Sequence, residues 1–73
     1  MKFTRTALEG VIVIEPIIIR DERGYFCESY KADDLCKNGI ETRFVLELQS
    51  KSIKNTFRGL HYQTEPHAQS KLV

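Results

Sequence analysis

The hydrophobic positions near the start of the chain follow the pattern of β-strands. Four β-branched residues, Val11 to Ile14, are followed by Glu15–Pro16 and then by a second apolar run, Ile17 to Ile19. Branched side chains favour a pleated strand, whereas proline removes a donor from the ladder of hydrogen bonds. The pattern therefore predicts either one strand with a break at the proline or two short strands.

A hairpin and a short helix are predicted next. Asp21 to Gly24 has the polar residues and the glycine of a tight turn, and Tyr25 to Tyr30 has aromatic residues suited to a returning strand. Lys31 to Lys37 lacks β-branched residues, which favours a helix. This helix would end at Asn38–Gly39, because glycine readily adopts the left-handed conformation that follows many helices.

The second half of the chain predicts another hairpin. Phe44 to Leu48 alternates between apolar and polar residues, Lys51 to Asn55 resembles a turn, and Phe57 to Gln63 has the pattern of a strand. Thr64 to His67 should be a loop, and Lys71 to Val73 should begin a further strand. The whole pattern predicts an antiparallel all-β protein with one small helix, whose strand edges need more chain or another subunit.

Composition narrows the class of protein. The chain has 73 residues, of which 41% are hydrophobic and 29% charged, and its net charge is +1 with both signs interspersed. We therefore expect one domain and no nucleic-acid or membrane partner. Cys27 and Cys36 are expected to be reduced thiols in a cytoplasmic protein, since no segment for export is recognisable.

Chemistry-bearing residues concentrate in one short segment. RGLHYQ, which is Arg58 to Gln63, is followed by P-x-A-Q-x-K-L-V, which ends at Val73. Near the start are T-x-L-x-G-V-x-x-I-E-P and D-E-R-G-Y-F-x-E-S-Y. Together these motifs resemble the signature of the dTDP-4-dehydrorhamnose 3,5-epimerase family. The resemblance covers essentially all of residues 1–73 but corresponds to less than half of a family member.

The resemblance implies a fold, an assembly and a reaction. Residues 1–73 would be the N-terminal portion of one cupin-type domain, a jelly-roll β-barrel. Its N-terminal strands would reach across to a second subunit in a homodimer. The substrate would be a dTDP-4-keto-6-deoxy sugar used in deoxysugar biosynthesis for polysaccharide. The reaction would invert the carbons that flank the ketone, without a cofactor.

The resemblance also assigns roles to five residues. His61 would be the general base, and Lys71 would stabilise the negative charge of the enolate. Arg58 would bind the phosphates, while Arg23 and Glu28 would contact the nucleotide, in the family from the partner subunit. An aspartate that orients the histidine and a tyrosine that serves as the acid lie further along the chain in the family, and neither is present here.

Each assignment has a simpler alternative when the residues are considered without the family. His61 could be hydrogen-bonded inside a barrel wall, Lys71 could be a solvated residue at a strand end, and Arg58 could form a surface ion pair. The two nucleotide-contacting residues could be a charge in a turn and a solvated residue on a strand. Arg58 and His61 are three residues apart, so an alternating strand would point them to opposite faces. Either a bulge at Gly59 or the length of the arginine would bring them to one ligand.

Two departures leave further alternatives open. Leu46–Glu47–Leu48 stands where the family usually has a Q-D/E-N-type triplet, and leucine cannot replace amide hydrogen bonds. Another sugar nucleotide, a single-site epimerase or a ketoisomerase is therefore an alternative. A truncated or degenerate cupin that acts only as a binding or structural module is a further one, and residues 1–73 alone are expected to be inactive. His61–Tyr62–Gln63 stands where many cupins have His-x-His. Because Gln63 is a poor metal ligand and His67 lies in a loop, a metal-free site is predicted.

Overall fold

The computed structural model describes all residues from Met1 to Val73. The chain divides into two compact units, Met1–Glu41 and Thr42–Val73. The four strands and the one helix all lie in the first unit: β1 (Lys2–Arg5), β2 (Ile12–Glu15), β3 (Ile18–Asp21), β4 (Gly24–Cys27) and α1 (Ala32–Lys37). The predominance of antiparallel strands with one short helix agrees with the predicted all-β class.

Strands β1 and β2 form a two-stranded antiparallel sheet, with Lys2 opposite Glu15 and Arg5 opposite Ile12. Thr6 supports the connection between them, because its backbone N–H and its hydroxyl both donate to the carbonyl of Val11, over 3.3 and 2.9 Å. The sequence pattern did not predict β1. Phe3 is its one apolar residue, and its strand conformation depends on pairing with β2.

Strands β3 and β4 form the second two-stranded sheet, with Ile18 opposite Cys27 and Asp21 opposite Gly24. This confirms the predicted hairpin, although β4 ends at Cys27 rather than Tyr30. Because β2 and β3 belong to different sheets, two short strands separated at the proline is the correct alternative.

The predicted helix is confirmed, and its C-terminus has the predicted glycine. Gly39 has a φ of +83° and donates its N–H to the carbonyl of Cys36 over 3.0 Å. The N–H of Ile40 reaches the carbonyl of Leu35 over 2.9 Å. These two bonds define a Schellman motif, which satisfies carbonyls left unpaired at the end of a helix.

The core of the first unit is small. Leu35 on α1 is its buried apolar side chain, with 2% of its surface exposed. Phe3, Ile12 and Ile14, which share one face of the first sheet, are half-buried. By contrast, Ile19 and Phe26 pair across the second sheet and remain 60% and 69% exposed. The second sheet therefore presents an uncovered apolar face.

The prediction of a hairpin in the second half of the chain is wrong. Neither 44–48 nor 57–63 is a strand, and Lys71–Val73 does not begin one. Strands require a hydrogen-bonded neighbour, and an isolated two-stranded hairpin is marginal in water. The apolar Val45 also interrupts the alternation needed for a strand with one buried face. Thus these segments have strand composition without a paired ladder.

The predicted turn at Lys51 to Asn55 and the predicted loop at Thr64 to His67 are confirmed. The N–H of Thr56 donates to the carbonyl of Ile53 over 3.3 Å, and Asn55 has a φ of +68°, which asparagine tolerates better than most residues. The N–H of His67 donates to the carbonyl of Thr64 over 2.8 Å.

The helix of this chain is too short to cross a membrane.

Candidate functional site

The imidazole of His61 is accessible in the second unit. The side chain is exposed and makes no hydrogen bond or ion pair. The alternative of a histidine bonded inside a barrel wall therefore does not describe this structure. A neutral imidazole has one nitrogen that can accept a proton and one that donates, and both are open to a ligand here.

Gly59 lies beside this histidine in a conformation that favours glycine. Its φ is +139°, and no heavy atom lies within 4 Å of the position that a Cβ would occupy. The backbone conformation rather than a lack of space therefore accounts for glycine at this position. Because no strand contains residues 58–61, neither strand alternation nor the alternative of a bulge at Gly59 applies to this segment.

Arg58 is held by a hydroxyl rather than by a carboxylate. Its Nε–H donates to Oγ of Ser52 over 2.7 Å, and the side chain is exposed. The alternative of a surface ion pair is therefore not what the structure has. The two terminal nitrogens of the guanidinium remain free, so they can make two parallel hydrogen bonds to an oxyanion.

Lys71 is also exposed, and its ammonium group makes no hydrogen bond or ion pair. The residue lies outside any strand. Its three N–H donors are therefore available to an anionic oxygen. Together with Arg58 and His61, it belongs to the second unit, whereas Arg23 and Glu28 belong to the first.

Arg23 is the most strongly held of the five predicted residues. It occupies the turn between β3 and β4, where Oδ1 of Asp21 accepts its backbone N–H over 2.8 Å. Oδ2 of the same carboxylate accepts from Nε over 3.1 Å and from Nη2 over 2.6 Å. The guanidinium and then the backbone N–H lower the pKa of Asp21, while the carboxylate raises the pKa of Arg23.

Two open concavities border the β3–β4 hairpin within the first unit. One, of about 490 Å³, is lined by Arg23, Asp21, Tyr25, Ile19 and Phe26. The other, of about 260 Å³, contains Glu28 at its wall. The further lining residues of this second concavity are Met1, Ile17, Ile19, Phe26, Lys31 and Asp34. Ile19 and Phe26 thus contribute apolar surface to both.

Asp21 is the residue of this region that the sequence analysis missed as a candidate. It was assigned only to a turn, yet its carboxylate fixes both the backbone and the side chain of Arg23. The available signal was an aspartate two residues before an arginine within a tight turn, since aspartate commonly bonds the backbone two residues further on.

The structure brings together no group of three or more metal-ligating side chains.

Comparison with known proteins identifies one family. The model of the dTDP-4-dehydrorhamnose 3,5-epimerase family matches residues 5–73. Among curated proteins, the dTDP-4-dehydrorhamnose 3,5-epimerase of Methanothermobacter thermautotrophicus is 46% identical over 72 residues, which are 99% of this chain and 38% of that protein. The protein of the same name from Shigella flexneri is 43% identical, over all of this chain and 41% of its own length. No solved structure matches the chain.

A third relative of the same name, from Salmonella typhimurium, is 44% identical over 94% of this chain and 38% of its own length. The chain therefore spans about two fifths of the length of these three relatives. The match to the family model includes the positions of Arg23, Glu28, Arg58, His61 and Lys71.

Proposed function

We propose, from the premise that this chain belongs to the dTDP-4-dehydrorhamnose 3,5-epimerase family, that it forms part of a sugar-nucleotide epimerase. The substrate is a dTDP-4-keto-6-deoxy sugar, and the carbons that flank its ketone are inverted. The family match over residues 5–73 is the observation that carries this proposal. It includes the whole RGLHYQ segment and the lysine that follows.

The chemistry requires a base, a group that stabilises an enolate, and an acid. The C4 ketone acidifies the neighbouring C–H bonds, because the electron pair left on carbon can move to the ketone oxygen. A proton returned from the opposite face then inverts the carbon. A positioned base contributes about a hundred- to ten-thousandfold to such a rate. In our proposal the acid is a residue outside residues 1–73.

His61 is the proposed base. A neutral imidazole has a ring nitrogen that can accept a proton and release it again. The exposed ring, which has no hydrogen-bond partner in this chain, supports this role because a nitrogen is available to a C–H bond of a ligand. Lys71 is proposed to stabilise the charge on the enolate oxygen, and its unpaired ammonium suits that role.

Three residues are proposed to bind the nucleotide part of the substrate. Arg58 has two free terminal nitrogens, and a guanidinium of this kind recognises phosphate oxygens through paired hydrogen bonds. Arg23 is proposed to contact the diphosphate in the same way. Glu28 can accept hydrogen bonds from donors on the ligand, and it is exposed at the wall of a concavity.

We also propose that the active form is a cupin-type barrel in a cytoplasmic homodimer, in which residues 1–73 are the N-terminal portion of one domain. The two sheets have two strands each, so each has unpaired edges. The second sheet also exposes Ile19 and Phe26. Both features are expected of strands that complete a larger sheet.

The test is exchange of substrate hydrogens with solvent. A chimera in which this chain replaces the matching 72 residues of the Methanothermobacter thermautotrophicus relative supplies the remaining length. We expect His61→Ala to slow deuterium incorporation at the flanking carbons by at least about a hundredfold, because the base is lost. Proton NMR in D₂O measures this rate directly.

His67→Ala is the matched control, because His67 is a second exposed histidine of the same unit. We expect its exchange rate to stay within about twofold of the unmodified chimera, as is usual for a surface change away from the chemistry. Exchange that is unchanged in the His61 variant would exclude this residue as the base.

One observation favours a second candidate function. Leu46 and Leu48, which stand in place of hydrogen-bonding residues, are 72% and 82% exposed and offer a ligand only apolar surface. The alternatives are a different sugar nucleotide, inversion at one carbon, or ketoisomerisation. The same NMR experiment tests how many carbons react, since two exchanging carbons indicate a 3,5-epimerase and one indicates a single-site epimerase or a ketoisomerase. A chimera that binds ligand without exchange indicates a non-catalytic module.

A further inference from the structure

The turn between β3 and β4 fixes Arg23 at three points, one on its backbone and two on its side chain. Asp21 Oδ1 accepts the backbone N–H of Arg23, and Oδ2 accepts both Nε–H and one N–H of Nη2. Backbone and side chain are therefore tied to the same carboxylate. An exposed arginine normally samples many rotamers, but this arrangement selects those in which the guanidinium returns to the turn.

This contact leaves the opposite side of the guanidinium free. Arginine has five N–H donors, of which Asp21 engages one on Nε and one on Nη2. Both donors of Nη1 and the second donor of Nη2 remain. Those two terminal nitrogens form the edge of the guanidinium that makes paired hydrogen bonds with an oxyanion. Arg23 also lines a concavity of about 490 Å³, in which such a ligand could lie.

We propose that Asp21 is a positioning residue that holds Arg23 ready for the diphosphate of a nucleotide sugar. The inference rests on the proposed function, which assigns the phosphate contact to Arg23. Its physical basis is that an ordered side chain loses less rotamer freedom when it binds a ligand. The carboxylate also repels an anion. This repulsion is reduced because the carboxylate is paired with the guanidinium and already accepts three hydrogen bonds.

The probe is inorganic diphosphate, titrated into the full chain. Binding is followed by NMR at the Nε–H signal of Arg23 and, in variants that lack this arginine, at the backbone N–H signals of the turn. We expect Asp21→Ala to weaken binding about three- to tenfold, which corresponds to the lost ordering of one rotamer-rich side chain. Asp21→Asn should have a smaller effect, because its amide oxygen can still accept the backbone N–H of residue 23. Some loss remains, because the amide carries no charge. It also controls for damage to the turn.

Glu22→Gln is the matched control for charge. Glu22 belongs to the same turn and makes no hydrogen bond or ion pair, so its substitution removes a nearby negative charge without releasing Arg23. We expect diphosphate binding to change by less than about twofold, as for an exposed charge that is screened by salt.

A double-mutant cycle tests whether Asp21 acts through Arg23. In an Arg23→Gln background, Asp21→Ala should cause no further loss of binding, because the group that it orients is absent. The proposal is overturned if Asp21→Ala binds diphosphate equally well or more tightly, if its effect is the same in both backgrounds, or if the unmodified chain binds no diphosphate. None of these results depends on turnover, so failure of the epimerase assay is a separate outcome.

Discussion

The two units differ in what determines their local structure. In Met1–Glu41, every strand has a neighbour close in sequence, and the helix ends in a complete Schellman motif. In Thr42–Val73, turns form but strands do not. The comparison shows that turn and cap signals act locally, whereas strand composition needs a partner. The three proposed residues of the second unit, Arg58, His61 and Lys71, all lie outside regular structure.

This difference has a consequence for the proposed chemistry. Catalytic groups must be held within a narrow range of geometry, and residues on regular elements are held better than residues on irregular segments. Arg23 is already ordered by its own turn. His61 and Lys71 have no such contacts. We therefore expect their ordering to come from strand pairing and from ligand, rather than from the local sequence.

The largest expected effect on stability comes from the buried leucine. We expect Leu35→Ala to destabilise the first unit by about 2–5 kcal/mol, because the substitution leaves a cavity where the core is already small. Faster hydrogen exchange at the N–H of Ile40, which bonds the carbonyl of Leu35, would report the loss.

Leu46→Ala is the matched control in the second unit, since this leucine is 72% exposed. We expect a change within about 0.5 kcal/mol, as for most surface substitutions. Equal effects of the two substitutions would contradict the comparison, because they would mean that burial in the first unit contributes no more than exposed apolar surface in the second.

A smaller effect is expected at the helix C-terminus. Gly39→Ala places an L-residue at a φ of +83°, a conformation that costs roughly 1–2 kcal/mol. Space is not the cause, because the new Cβ would lie 3.5 Å from Nη2 of Arg5, an ordinary contact. Thermal unfolding of the first unit, followed by helical circular dichroism, measures the loss.

Gly39→Asn sharpens this test, because asparagine adopts the left-handed conformation more readily than alanine. We expect it to recover part of the lost stability. If alanine and asparagine destabilise equally, the backbone conformation of Gly39 is not what limits the end of the helix.

The sequence was sufficient for the features that depend on near neighbours. The turn at Asp21–Gly24, the helix and its glycine cap follow from residues a few positions apart, and the structure contains all of them. Strand β1 was missed because Lys2 to Arg5 has little apolar content of its own. Its pairing with β2 is a tertiary preference that outweighs weak strand propensity.

The predicted hairpin of the second unit failed for the converse reason. Phe57 to Gln63 has strand composition, but a ladder needs a partner and an apolar face needs cover. The site shows the same limit. The family motifs selected the five candidate residues, yet no local pattern specifies how the proposed base and the proposed phosphate-binding arginine meet one ligand. Asp21 was missed because its role depends on side-chain geometry at the turn.

The smallest expected effect is the acid titration of the β3–β4 turn. The guanidinium and the backbone N–H of Arg23 hold the pKa of Asp21 below its ordinary value of 3.8. A carboxylate whose folded pKa is lowered contributes stability above its unfolded pKa and loses that contribution as pH falls through the folded pKa. We therefore expect the turn to be fully stabilised above about pH 4 and to loosen below it.

Carbon NMR of the Asp21 carboxyl group measures this midpoint, and Arg23→Gln provides the decisive comparison. Removing the guanidinium should move the midpoint upward, toward the ordinary value, because an amide cannot supply the positive charge. The backbone bond from residue 23 remains in this variant, so recovery of the ordinary value should be incomplete. An unchanged midpoint would mean that the side-chain pair is not populated in solution. The first unit would then resemble the second at His61 and Lys71, because it too would hold a proposed site residue that its local sequence does not order.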